Sequence, residues 1–423
     1  MRIPFAMWCC ERPAPAWNRG IRRTAIVIAV LVAASCGSTD GGVEAQSRVA
    51  DSLVISVDAD LKEMAHDLLP GLLDRSGLEL REPVRLARRS REELLDYLRV
   101  RMDGEIPEDR ARDLVAVYSA LGLMDPGVDL RELLLSVYRE QVAGFYDPDS
   151  TALFVMDDQP EAALRPLLAH ELVHALQDQS VPLDQLTDPA VGNDRATAAQ
   201  AAVEGHATLV MFEVSAGAGV DLTRIPGFRE QLRTMMATAG AGFPELESAP
   251  RIVRESILLP YLEGTGFILD VWAAQGRVGF AELVPSSTEQ ILFPSAFMDS
   301  PPDEPTDLVL SLSGASPRYE DGLGAAEVRV LLEERVGPEA GVAVEGWDGD
   351  RFLLVGEGSD VSLVWASVWD YVGARDRFVS TLGPGLHGGG EAELVAIDIG
   401  GRPGALLRVG PDIGEVRVEL SGR

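Results

Sequence analysis

The chain has 423 residues, 46% of them hydrophobic and 25% charged, with a formal charge of −30. That balance belongs to packed globular structure and excludes general disorder. A surface so acidic repels phosphate backbones and anionic lipid headgroups, which excludes nucleic acid as a partner.

Arg22-Arg23 precede an apolar run over residues 25–34, and Ser35-Cys36 follow. The run is shorter than the roughly 20 residues that span a bilayer. Residues 1–36 therefore read as a targeting segment. Ala33-Ala34-Ser35-Cys36 resembles a bacterial lipobox, which implies a lipid on Cys36 and an exported protein anchored at the cell envelope. Plain secretion is the alternative. Either way Cys9 and Cys10 are lost with the segment, and one remaining cysteine allows no intrachain disulfide. Residues 37–50 are small and polar, a linker.

Globular patterning begins near Leu53. The expected elements are a helix over 58–69 stopped by Pro70-Gly71 and a short strand at 84–86. Ser90 and Glu93 form a capping box that opens a helix. Further helices should start at Pro107 and at Asp129. Asp147-Pro148-Asp149-Ser150 is a turn between two apolar runs, so 144–155 reads as a hairpin. It is either a sheet edge that an extended peptide could pair with or an ordinary core hairpin.

His170-Glu171-Leu172-Val173-His174 has the form H-E-x-x-H, in a chain with five histidines. On a helix, positions four apart share a face, so both imidazoles can close on one Zn²⁺. Glu171 projects about 100° further round, placed to act as a base toward water. Leu168, Leu172, Ala175 and Leu176 form an apolar stripe beside the histidines. Asp178 is one turn beyond His174 and could orient its ring or be a solvated helix-end charge.

Asp194 should cap a helix from Arg195 to about Ser215. A glycine inside it, Gly205, costs about 1 kcal/mol relative to Ala. Close approach to the metal helix would offset that cost and deliver Glu204 as the third ligand. His206, on another face, and Glu263, in a second Glu-Gly pair, are the rivals for that place. A helix over 252–276 follows, either continuous or broken at Pro260, and Ser287 can cap a short one.

Pro301, Pro302 and Pro305 mark a domain boundary. Beyond it, Leu308, Leu310 and Leu312 alternate as in a strand. Helices near 325–335 and 374–382 and strands near 352–355, 361–368, 393–397, 405–409 and 416–420 make a small α+β unit. Residues 346–351 read as a hairpin turn. Asp348 and Asp350 there could touch Ca²⁺, which is a weak pattern. His387 carries no assignment. The fold class expected is α+β: a mainly helical domain with a small sheet over 51–300, then a smaller α+β domain over 306–423.

His170-Glu171-Leu172-Val173-His174-Ala175-Leu176-Gln177-Asp178-Gln179, followed by Val203-Glu204-Gly205-His206-Ala207, resembles the gluzincin-type bacterial zinc metallopeptidases. Residues 144–146, 287–290 and 346–351 resemble features of uncharacterised extracytoplasmic members. The resemblance implies a zincin-like domain with Zn²⁺ on His170, His174 and Glu204. It implies Glu171 as general base and a peptide or protein as substrate. Tyr261, Tyr146 and His206 are candidate donors to the oxyanion. The alternative is a metal-stabilised envelope or binding lipoprotein without catalysis; a peptidase held latent by its own terminal regions is a further one.

Overall fold

The computed structural model describes residues 53–422 apart from 218, 240–241, 358–359 and 387–391, and the backbone alone at 236–239. Residues 1–36 with Cys36, the linker 37–50, and His387 lie outside the described residues. The protein is 55% helix and 18% strand, the latter in small sheets, which is the mainly helical α+β class expected.

A first sheet has the order β1 (Val54–Ser56), β2 (Val84–Arg89), β4 (Ala152–Met156), β3 (Gly144–Asp147). Its first three members run parallel, and β3 closes the edge antiparallel to β4. Every residue of both hairpin strands is buried. Tyr97 of α2 (Arg91–Glu105) stacks on Phe145 at 4.6 Å and donates its hydroxyl to Asp147. The hairpin is a core element, and its edge does not face solvent.

Helix α1 (Ala59–Ser76) runs through Pro70 and ends at Gly77, whose left-handed φ of 68° suits glycine. Proline loses one backbone donor, yet Leu68, Leu69 and Leu72 pack into the core on either side of it and hold the helix together. The Ser90 capping box opens α2 as expected. Then come α3 (Glu108–Ala120) and α4 (Leu130–Gln141), the latter capped by Asp129.

Three long helices form the centre: α5 (Glu161–Asp178), α6 (Asn193–Ala216) and α8 (Arg251–Gln275), with α7 (Phe228–Ala239) between the last two. Residues 167–177 of α5 are buried on every face, so the expected single apolar stripe is instead a fully enclosed rod. Asp194 does not cap α6. Its carboxylate is turned across to Thr288, accepting from the backbone N–H at 3.0 Å and from the hydroxyl. Helix α8 continues through Pro260 without a break.

Gly205 has a packing reason different from the one expected. A Cβ there would lie 2.1 Å from the Gly264 carbonyl carbon, and one on Gly264 would lie 2.0 Å from the Ala201 oxygen. The two Glu-Gly pairs thus meet each other, backbone against backbone, where α6 crosses α8. The close approach is to α8 and not to the metal helix.

After α9 (Thr288–Leu292), capped by Ser287, β5 (Leu308–Leu312) pairs with β11 (Val416–Leu420). A five-stranded antiparallel sheet has the order β6 (Tyr319–Asp321), β7 (Trp347–Val355), β8 (Ser362–Trp369), β10 (Arg402–Val409), β9 (Ala392–Ile399). Helices α10 (Gly324–Arg335) and α11 (Val372–Leu382) pack on it. Only Gly346 lies in a turn; residues 347–351 are a bulged strand start, with the register shifting between Trp347 and Gly349. Gly349 is needed there because a Cβ would lie 2.2 Å from the Thr306 oxygen. One apolar cluster includes Leu134 and Tyr261 together with Leu331 and Trp365, so the core is continuous across residues 301–306.

Candidate metal centre

Helix geometry sets His170 above His174 on α5, and the packing of α6 brings Glu204 against both. His170 Nε2 lies 3.0 Å from His174 Nε2, and Glu204 Oε2 lies 3.1 and 3.3 Å from the two nitrogens. A tetrahedral ion with bonds of about 2.1 Å holds its donors about 3.4 Å apart. The triangle observed is therefore close to the size such an ion would impose, and the three groups can bind a metal ion. All three side chains are buried, at 3%, 0% and 1% exposure.

The three donors also lie within hydrogen-bond reach of one another. Burial alone would raise the Glu204 carboxyl, but the His174 charge and hydrogen bonds from both imidazoles outweigh it and hold Glu204 down to about 2. Burial alone would lower His174, and the Glu204 carboxylate pulls it up to about 9. A metal ion replaces that proton on the same nitrogen.

Gln177 holds the arrangement together. Its Oε1 accepts from His174 Nδ1–H at 2.8 Å, leaving the Nε2 lone pair for an ion. Its amide nitrogen donates to the Val203 carbonyl at 2.9 Å and to His206 Nδ1 at 2.9 Å. One side chain on α5 thus fixes the ligand tautomer and straps α6 in place. On the other side, Gln200 donates to Glu204 Oε1 at 2.8 Å. The Tyr261 hydroxyl also hydrogen-bonds Glu204, and its ring stacks 6.2 Å from His170.

The rival ligands are placed elsewhere. His206 is fully buried between Trp272 and Phe280, and burial holds it down near 3, so it is a neutral core imidazole. Glu263 pairs with Arg233 at 3.0 Å, Arg329 at 3.0 Å and Arg229 at 3.3 Å. Asp178 does not orient His174; it accepts from the Tyr146 hydroxyl at 3.0 Å and the Leu183 N–H at 3.1 Å. Tyr146 is thereby engaged by Asp178, and of the three candidate oxyanion donors Tyr261 is the one bonded to Glu204. Asp348 and Asp350 do not share a ligand-like turn, since Asp350 accepts from Leu323 N–H at 2.9 Å.

Glu171, adjacent to His170, is fully buried and lies close enough to His174 and Tyr261 to influence both. A cavity of about 130 Å³ opens beside Glu204, lined also by Leu134, Tyr138, Gln200, Ile257 and Tyr261. Sequence reasoning missed Gln177 and Gln200. Each was findable: Gln177 is one turn from His174 and Gln200 one turn from Glu204, on the faces already argued for the ligands.

Comparisons with protein-family models, with curated proteins and with solved structures gave no match.

Proposed function

We propose that the protein is a zinc-dependent peptidase acting outside the cytoplasm, with His170, His174 and Glu204 as ligands and Glu171 as general base. The convergence of the two imidazoles and the Glu204 carboxylate from separate helices carries this reading. Two histidines and a glutamate are a donor set of catalytic zinc, which keeps an open position. The likeness to gluzincin-type metallopeptidases points the same way. The lipobox-like Ala33-Ala34-Ser35-Cys36 supports export and a lipid anchor at the envelope.

When bound, zinc supplies Lewis acidity, polarising a carbonyl and acidifying water. Glu171 takes a proton from the attacking water and returns it to the departing amine. Tyr261 donates to the oxygen on which negative charge develops. Gln177 keeps His174 in one tautomer throughout. The cavity beside Glu204 accepts an apolar substrate side chain against Leu134 and Ile257.

A Glu171→Gln variant tests this. It should keep one zinc per chain and lose cleavage of an unfolded protein by about 10³-fold or more. Normal cleavage by that variant would rule the mechanism out. The burial of all four side chains favours a second reading, a metal-stabilised envelope protein without catalysis. On that reading, zinc-loaded wild type cleaves nothing, and removing zinc unfolds the protein.

A further inference from the structure

A second group of acids gathers where the C-terminal sheet meets the segment that leads into it. Carboxylate oxygens of Asp303, Asp348 and Asp370 all lie within 4.8 Å of one another. They come from three places: the chain before β5, the bulge of β7, and the residue following β8. Asp348 is buried at 1% exposure, and Asp370 faces solvent. The bulge does the positioning, since Gly349 lets Thr306 press onto β7, where the Thr306 N–H and hydroxyl bind Asp348. The backbone N–H of Asp370 is tied to the Gly346 carbonyl at 3.0 Å.

Acids this close repel unless something neutralises them. Among the described residues one cation is paired with the group, Arg402, whose guanidinium lies 2.5 Å from Asp348 Oδ2. A fourth acid makes the imbalance worse. Glu289 of α9 is only 5% exposed, and its carboxylate has no hydrogen-bond or ion-pair partner among the described residues. It lies beyond the 4.8 Å group, yet Asp370, Asp303 and Asp348 are its strongest charged neighbours. Three aspartates with a buried fourth acid nearby, and one arginine paired among them, are short of positive charge.

We propose that Asp303, Asp348 and Asp370, with Glu289 behind them, bind a calcium ion that ties α9 to the C-terminal sheet. All donors are oxygens, which suits a hard cation and disfavours zinc. The open side at Asp370 leaves room for the waters that complete a coordination number of six to eight. The site is independent of the His170-His174-Glu204 centre and of the peptidase reading.

The test uses the purified, zinc-loaded chain and Tb³⁺ as a calcium probe. Trp347 and Trp369 are sequence neighbours of Asp348 and Asp370 and serve as sensitisers. Tryptophan-excited Tb³⁺ emission should appear and be displaced by Ca²⁺, and Ca²⁺ should raise the thermal midpoint by several degrees. Asp370→Asn, at an exposed position that should not disturb folding, should weaken binding about tenfold or more. Glu204→Ala should leave the calcium response unchanged. Burial and its acidic neighbours push Glu289 up to about 9, so it holds a proton near neutral pH. Glu289→Gln replaces that neutral acid with a neutral amide of the same shape, and in calcium-free buffer it should be at least as stable as wild type. Absence of both the emission and the midpoint shift would overturn the proposal. So would equal responses in wild type and Asp370→Asn, or destabilisation of calcium-free Glu289→Gln.

Discussion

Gly205→Ala is the sharpest test of how the centre is held. The added Cβ would lie 2.1 Å from the Gly264 carbonyl carbon, 2.3 Å from its oxygen and 2.5 Å from the Thr265 nitrogen. All three are main-chain atoms inside a helix, so no rotamer change relieves the contact. Ordinary contact is about 3.5 Å or more between carbons, and α6 and α8 would have to part by more than an ångström at their crossing. Overpacking of this kind costs about 1–3 kcal/mol, with a backbone-on-backbone clash at the upper end or beyond. The better helix propensity of alanine returns about 1 kcal/mol. The net expectation is about 2 kcal/mol or more of lost stability. Because Glu204 is the preceding residue, zinc affinity should fall as well. Urea unfolding and zinc titration measure the two effects. A variant as stable as wild type, with unchanged zinc affinity, would refute the packing argument.

Gln177→Leu removes the acceptor on His174 Nδ1 and the donors to Val203 and His206. It should lower metal affinity about 10- to 100-fold, measured by competition with a chelating dye; unchanged affinity would contradict the role given to Gln177. Stability should also fall as pH rises from the ordinary carboxyl range to about 8. Burial raises Asp350 to about 7 and Glu327 to about 8. A carboxyl raised on folding contributes stability that is present below its unfolded value and is lost as pH climbs through the folded one. The urea midpoint should therefore drop between about pH 4 and 8, from the ordinary carboxyl range up to the raised values, and level off above that. Glu327→Gln can keep the bonds to Tyr118 and Asn193 and should flatten that drop. Parallel wild-type and variant curves would contradict it.

The centre was legible because its chemistry is local. Spacing on one helix brings His170 and His174 together, and an otherwise costly Gly205 flags the neighbouring Glu204. What Gly205 packs against was not legible, because its partner, Gly264, lies far along the chain and looks like a rival ligand site when read alone. Asp194 shows the same limit. It has the type and position of a helix cap, yet a threonine 94 residues away competes for its carboxylate more effectively than its own helix does. The strand at Leu308–Leu312 was legible from its period of two, whereas β8, buried along its whole length, carries no such period. The bulge at 346–351 read as a turn because two glycines and two aspartates are turn chemistry, and only the approach of Thr306 makes a strand require Gly349. Pro70 was expected to stop its helix, and Pro260 left its own either broken or continuous. Burial of the flanking leucines, which local propensity does not register, carries both helices through.

The central claim is that one ion is held by two imidazoles and one carboxylate drawn from α5 and α6. Zinc-edge X-ray absorption on the purified chain, with metal content measured on the same sample, tests it most directly. One zinc per chain, with nitrogen and oxygen neighbours at about 2.0–2.1 Å and the scattering pattern of two imidazoles, is the expected result. That pattern should vanish in Glu204→Ala. Substoichiometric metal in wild type, a sulfur neighbour near about 2.3 Å, or an unchanged spectrum in Glu204→Ala would contradict the account.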